Sequence, residues 1–331
     1  MNNFFAQDNI KKALNEILEN NGLNVLYNMS NSCDFVVKQC EGKCDKRYIL
    51  KIRKRNNDFL KQQFINEIFI NIFLEKKFPD KFPYKIIDYN IEDEPEFLLY
   101  KMIKARPLNG YYFLIGARNK KKYNPKEIVD LICLLQKQTD VFQKENLNVK
   151  LQSSGYENSL NSFLKYKKIN EQYLNNKDIF STQSIIEKNR NLLDKNLVLS
   201  HGDLNPKNIL IKDDKKTTFI DWTGVELNNY LSDFVRFYFS NWNVKEKQQL
   251  LKKEIFKKFG NDETLFNLNI LILTGDFLRI LNDSSNGLNS DFQKNIINKD
   301  TKEKMIDKIK QAEISSIKQF KKSLKYFNNY D

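Results

Sequence analysis

Apolar residues in the first third of the chain switch between two periods. Over residues 9–19, Ile10, Ala13, Leu14, Ile17 and Leu18 recur at three and four. That spacing predicts an amphipathic helix, with Asp8 as its cap and Asn21-Gly22 as its end. Residues 34–38 (DFVVK) and 48–53 (YILKIR) read instead as two strands, joined by a polar segment that holds Gly42. Over 59–74, Leu60, Phe64, Ile65, Ile68, Phe69, Ile72 and Phe73 return to helical spacing, bounded by Pro79 and Pro83. FPYKIIDYN and EFLLYKMI then predict two more strands around the acidic turn IEDEP. The first hundred residues thus read strand, strand, helix, strand, strand behind a leading helix.

After Arg106-Pro107 the pattern is mostly helical. Ile128, Leu131, Ile132 and Leu135 share a face over 126–139, and 158–176 and 181–195 also read as helices. A short β-rich island at 197–221 interrupts them, holding LVLSHGDLNPKNILI and TTFID with the turn KDDKK between. From about 230 on the helical pattern resumes, and the last helix presents Ile306, Ile309, Ile317, Phe320, Leu324 and Phe327 at near-helical spacing. The polar stretch DSSNGLNSD, 283–291, is predicted to be a loop, and there is no internal repeat.

Composition narrows the class. The 331 residues carry 55 Lys+Arg against 42 Asp+Glu, a net charge of +13, which makes nucleic acid a candidate partner. Yet Lys outnumbers Arg about sixfold, as compositional drift would produce, and the basic residues lie along amphipathic helices such as 302–325. The short clusters KIRKR (51–55) and NKKK (119–122) belong to no nucleic-acid motif, which argues against that partner. At 40% hydrophobic and 13% aromatic the chain is built to fold, and 10 Gly and 6 Pro are too few for a turn-dense all-β design. Four Cys and one His supply neither a disulfide scaffold nor the usual zinc sets. With no run of about 18 apolar residues and no basic-then-apolar start, the expectation is a soluble cytoplasmic protein with no membrane partner.

That single His, His201, stands in SHGDLNPKNILI, where Asp203 and Asn208 are five apart; Asp221 follows thirteen residues after Asn208, at the end of TTFID and before Trp222. An Asp and an Asn on a loop, followed by a strand that delivers a second Asp, can gather three oxygen ligands or acceptors about one point. Phosphoryl transfer from a magnesium nucleotide needs such a set: one carboxylate for the acceptor proton, an amide and a second carboxylate for the metal. Upstream, period two puts Ile49, Lys51 and Arg53 on one face of YILKIR, so that Lys51 can project toward phosphates.

The order of these residues resembles the phosphotransferase family that includes the aminoglycoside, macrolide and choline kinases, relatives of the protein kinases. HGDLNPKN is similar to its H-G/N-D-x-x-x-x-N loop and FIDW to its hydrophobic-I-D-W/F strand, and the likeness covers most of 25–240. The resemblance implies an α+β, bilobal, protein-kinase-like fold with a nucleotide-binding lobe at 1–103 and a larger, mostly helical lobe at 104–331. It implies Asp203 as the catalytic base, Asn208 and Asp221 as magnesium ligands and His201 as support of the loop. It also implies Lys51 paired with Glu67 for the nucleotide phosphates, Ser32 in the phosphate loop, and Lys101 to Ile103 beside the adenine. The phosphate-loop segment NMSNSCDFVVK has no Gly; its small polar residues Ser30, Asn31 and Ser32 can still present backbone N–H groups. Ala105 stands where the family commonly has Gly. Asp233 is expected to organise the second lobe, and Glu226 to be a solvated loop residue, with a place facing substrate as the alternative.

The function expected is transfer of the γ-phosphoryl group of ATP, or GTP, with Mg2+, to a hydroxyl of a small molecule such as an antibiotic, an amino alcohol or a sugar. A kinase-like protein that holds nucleotide without catalysis is the alternative, and a base at Asp203 speaks against it.

Overall fold

The computed structural model describes residues 7–329 except 32–33, 56, 109–122, 148, 166–170, 213–215 and 294–297. The described residues divide into two compact units: 1–106 with 140–151 and 212–225, and 107–139 with 152–211 and 226–331. The sequence alone suggests one boundary, near 103/104. Two later segments depart from that because their own contacts hold them in the first unit. Phe142 packs edge-on against Phe73 at 5.1 Å, Lys77 pairs with Glu145 at 2.6 Å, and Trp222 lies 5.9 Å from Phe82.

The first unit is built on a five-stranded antiparallel sheet in the order β1-β2-β3-β5-β4. Its strands are β1 (Asn24–Asn31), β2 (Phe35–Glu41), β3 (Arg47–Arg53), β4 (Ile86–Asn90) and β5 (Phe97–Lys101). Helix α1 (Gln7–Asn20) contributes Ile17 to a cluster with Leu23, Cys40, Leu50, Ile52 and Leu99. Helix α2 (Asp58–Lys77) contributes Phe64 and Ile68 against Leu98. The side chain of Asn57 accepts from the N–H groups of Phe59 and Leu60, fixing where α2 starts. Strand β1 is not among the expected strands, although its apolar residues Val25, Tyr27 and Met29 alternate. It is an edge strand paired only to β2, with two register shifts, and Val25, Tyr27 and Met29 are all exposed.

The second unit is mostly helical, with the short antiparallel pair Val198–Ser200 and Glu226–Asn228 inside it. Its largest element is the helix Glu263–Gln293, which packs along the last helix, Lys299–Asn328. The buried line of the last helix is Met305, Ile309, Ala312, Ser316, Phe320, Ser323, Leu324 and Phe327. Small Ala312 and Ser316 fill the gap that the large-residue stripe leaves at 310–316, so close approach of two helices depends on residues that a hydrophobic pattern overlooks. The stretch Glu263–Asn289 is long and apolar enough to cross a membrane, but its most apolar part is largely buried inside the protein, where it serves as core.

The loop expected at 283–291 is corrected: these residues continue the helix to Gln293. Asp283 accepts from Arg279 one turn earlier at 2.7 Å, and Leu288 is buried, so tertiary packing overrides the weak helix preference of Asp, Ser, Asn and Gly. Gly287 is exposed within this helix, and a Cβ there would meet nothing within 4 Å. Gly287→Ala should therefore stabilise the protein by about 0.5–1 kcal/mol in urea unfolding. A destabilised variant would contradict a helical 287.

Candidate active site

Two groups of side chains carry the candidate chemistry, one in each unit. In the first unit, β3 holds Lys51 on the face it shares with Ile49 and Arg53, and α2 turns Glu67 to its buried side, next to Phe64 and Ile68. The Lys51 ammonium donates to both oxygens of Glu67, at 3.0 and 2.8 Å, and to Oδ1 of Asp221 at 3.0 Å. It also lies over the ring of Phe35, 4.6 Å from its centroid. Burial works against the ammonium, but the Asp221 and Glu67 carboxylates outweigh it and hold its pKa above that of an ordinary lysine. The two carboxylates thus favour the charged form of Lys51. Two residues on, Arg53 makes a bidentate pair with Glu96, both fully buried, and Arg55 meets Asp34 at 3.2 Å. Three cations of the KIRKR cluster are therefore spent on internal pairs.

Asp221 ends the run after the strand Thr217–Phe219 and takes a left-handed conformation, φ 63° and ψ 70°. A non-glycine residue there costs on the order of 1–2 kcal/mol. The strain turns its carboxylate toward Lys51 and toward the Thr223 hydroxyl, which donates to Oδ1 at 2.6 Å.

In the second unit, His201, Gly202 and Asp203 follow the strand Val198–Ser200. Buried Asp233, in the first turn of the helix Ser232–Ser240, accepts from the backbone N–H of His201 at 2.7 Å and of Gly202 at 3.2 Å. One carboxylate thereby fixes the start of the loop. Gly202 has φ +74°, a region that side chains rarely adopt. His201 is fully buried, and its Nδ1 accepts from the N–H of Asp203 at 3.3 Å. Asn208, in the 3-10 turn Pro206–Asn208, donates to the backbone oxygen of Asp203 at 2.9 Å and to its Oδ2 at 3.1 Å. Its amide hydrogens are thus turned to Asp203, which leaves Oδ1 as the atom suited to a hard cation. The Asp221 carboxylate is a donor of the same hard-oxygen kind, so each fits Mg2+ rather than a softer metal.

The remaining expected residues are placed as follows. Lys101 ends β5 and is exposed; Ile103 follows it and is half-buried. Ser32, expected in the phosphate loop, lies outside the described residues, as does the basic cluster 119–122.

A cavity of about 210 Å³ opens beside Asp203, lined also by Lys207, Arg236, Phe239, Asp276 and Phe277. A second, of about 240 Å³, shares Arg236, Leu273 and Asp276 with it and is lined by Gly202, Ser154, Asn158, Glu226 and Asn228. Glu226 is therefore no solvated loop residue. It sits in the strand Glu226–Asn228, accepts from Ser154 and from Asn228, and burial pushes its pKa up. Arg236 and Asp276, paired at 3.0 Å, are the lining residues that sequence reading missed. The single available signal is that Arg236 lies three residues after Asp233 on one helix.

A model of the phosphotransferase enzyme family matches residues 160–263. No curated protein sequence matches the chain. Among solved structures, the choline kinase LicA from Streptococcus pneumoniae is similar with a TM-score of 0.54 at 13% identity, covering 93% of this chain and 99% of that one. The macrolide 2'-phosphotransferase MphH from Brachybacterium faecium gives 0.58 at 12% identity, over 90% of this chain and 98% of that one. The spectinomycin phosphotransferase APH(9)-Ia, solved with ADP and spectinomycin, gives 0.56 at 13% identity, over 94% and 93%. Over most of its length the chain thus has the protein-kinase-like phosphotransferase fold, and its residues 160–263 match the phosphotransferase enzyme family itself.

Proposed function

We propose that the chain is a kinase that moves the γ-phosphoryl group of ATP or GTP to a hydroxyl of a small molecule. The observation that carries this reading is the Asp203 loop. A carboxylate oriented by Asn208, on a segment pinned by Asp233, opens on a cavity. A protein that only held nucleotide would have no need of that carboxylate. The similar structures include one solved with ADP, one with ATP and one with GDP, which supports a purine nucleotide as donor.

In this reading Lys51, held by Glu67, exchanges its contact with Asp221 for nucleotide phosphate oxygens and neutralises charge there. Asp203 accepts the proton of the acceptor hydroxyl as its oxygen attacks the γ-phosphorus, and the nucleoside diphosphate leaves. Asn208 and Asp221 would hold Mg2+, which supplies charge neutralisation for the phosphates. Asn208 has a second task, since its amide hydrogens keep the Asp203 carboxylate turned for its role.

Asp203→Asn should lower kcat for acceptor phosphorylation by about 10²–10⁴ while nucleotide affinity, measured by calorimetry, stays within a fewfold of the parent. Turnover within tenfold of the parent would remove Asp203 as the base. Asp221→Ala should abolish the magnesium dependence of nucleotide binding, and magnesium-stimulated binding that survives would contradict its role. Glu67→Ala should raise the KM for nucleotide at least tenfold, because Lys51 then remains bound to Asp221 alone; an unchanged KM would show that the pair is only structural.

A further inference from the structure

The charges around Asp203 say what kind of acceptor the second unit takes, on the reading of Asp203 as the base. The two adjoining cavities are lined by three acidic side chains, Asp203, Glu226 and Asp276, and three basic ones, Lys207, Arg236 and Arg279. The acids are already committed. Asp276 accepts from Arg236 at 3.0 Å and from Arg279 at 2.9 Å, and burial is outweighed by these two cations so that its pKa is lowered. Glu226 is capped by Ser154 and Asn228, and burial favours its neutral form. Asp203 has the acceptor hydroxyl to meet.

Arg279 is taken up by Asp276 and Asp283, but Arg236 and Lys207 keep unused capacity. Of the five N–H donors of Arg236, the one bonded among the described residues is on Nη1, to Asp276, and Nε is buried without a partner. Lys207 stands exposed on the wall of the Asp203 cavity, and no acidic partner meets its ammonium among the described residues. Phe239 and Phe277, the two aromatic rings on the wall of the Asp203 cavity, stack on each other at 5.5 Å and 30°, so one face of each ring is taken up by the other.

We infer that the acceptor is a small hydroxyl compound bearing an anionic group, a carboxylate or a phosphate, which Arg236 and Lys207 bind while its hydroxyl reaches Asp203. Carboxylate and phosphate offer the same paired oxygens to a guanidinium.

The test is a panel of acceptors matched in size and differing in charge: glycerate and glycerol 3-phosphate against glycerol, gluconate and glucose 6-phosphate against glucose, with choline and kanamycin as cations. Phosphorylated product is followed by 31P NMR with Mg2+ and ATP. The expected result is that the best acceptor is anionic, with kcat/KM at least tenfold above its neutral counterpart; the carboxylate and phosphate arms tell the two sources apart. Arg236→Met and Lys207→Met should each raise the KM of that acceptor at least tenfold while kcat changes by less than threefold. Lys207 is an exposed loop residue, so its variant keeps the test alive if Arg236→Met does not fold. A neutral or cationic compound as best acceptor, or a KM that neither variant moves, would overturn the inference. Product from no anionic member, while Asp203-dependent ATP turnover persists, would do the same. Absence of any Asp203-dependent turnover would instead overturn the phosphotransfer reading beneath it.

Discussion

The fold of the first unit is organised around one buried cation. Lys51 has its ammonium between the carboxylates of Glu67 and Asp221, each about 3 Å away. Removing such charges from water costs several kcal/mol per ion, and only close pairing offsets it. The requirement reaches three parts of the chain at once. β3 must present Lys51, α2 must roll Glu67 inward, and the backbone at Asp221 must adopt a left-handed turn that few residues accept. The aromatic contacts among Phe82, Phe219 and Trp222 hold that turn in the unit. The net effect is an ammonium fixed between two carboxylates, 3.0 Å from that of Asp221.

The second unit uses the opposite device, a buried anion. Asp233 takes two backbone N–H groups at the start of the His201–Asp203 segment, and Asn205 and Asn208 both donate to the backbone oxygen of Asp203 at its end. A loop secured at both ends by hydrogen bonds holds a side chain nearly as well as a helix or strand would, and catalysis by a carboxylate depends on such placement. Asp233 and Arg236 share a helix, so the residue that fixes the His201–Asp203 segment also stands one turn from the residue that lines the adjoining cavities.

How much of this was legible in the sequence follows from the range of each interaction. Lys51 is legible from the strand period that lets it project, and its pairing with Glu67 from the family resemblance. Asp203, Asn208 and Asp221 are legible because their types and spacing resemble a family's motifs and suit the proposed chemistry. What stayed hidden depends on distant parts of the chain. Asp276 is forty residues from Arg236, and nothing local marks the pair. Glu226 reads as a surface residue until Ser154 and Asn228 enclose it. β1 escapes a reading by core-facing pattern because its alternating Val25, Tyr27 and Met29 face solvent on an edge strand, and 283–291 stays helical because Leu288 is buried, although its neighbours favour a turn.

The measurement that bears most directly on the central claim is the fate of the γ-phosphorus. ATP carrying an isotopic label in its γ-phosphoryl group is incubated with the protein, Mg2+ and hydroxyl acceptors, and the label is located by 31P NMR and mass spectrometry. The account predicts a new phosphate monoester that carries the label, formed by the parent protein and lost in Asp203→Asn. Label that stays in ATP, or passes only to inorganic phosphate whatever the acceptor, would contradict it.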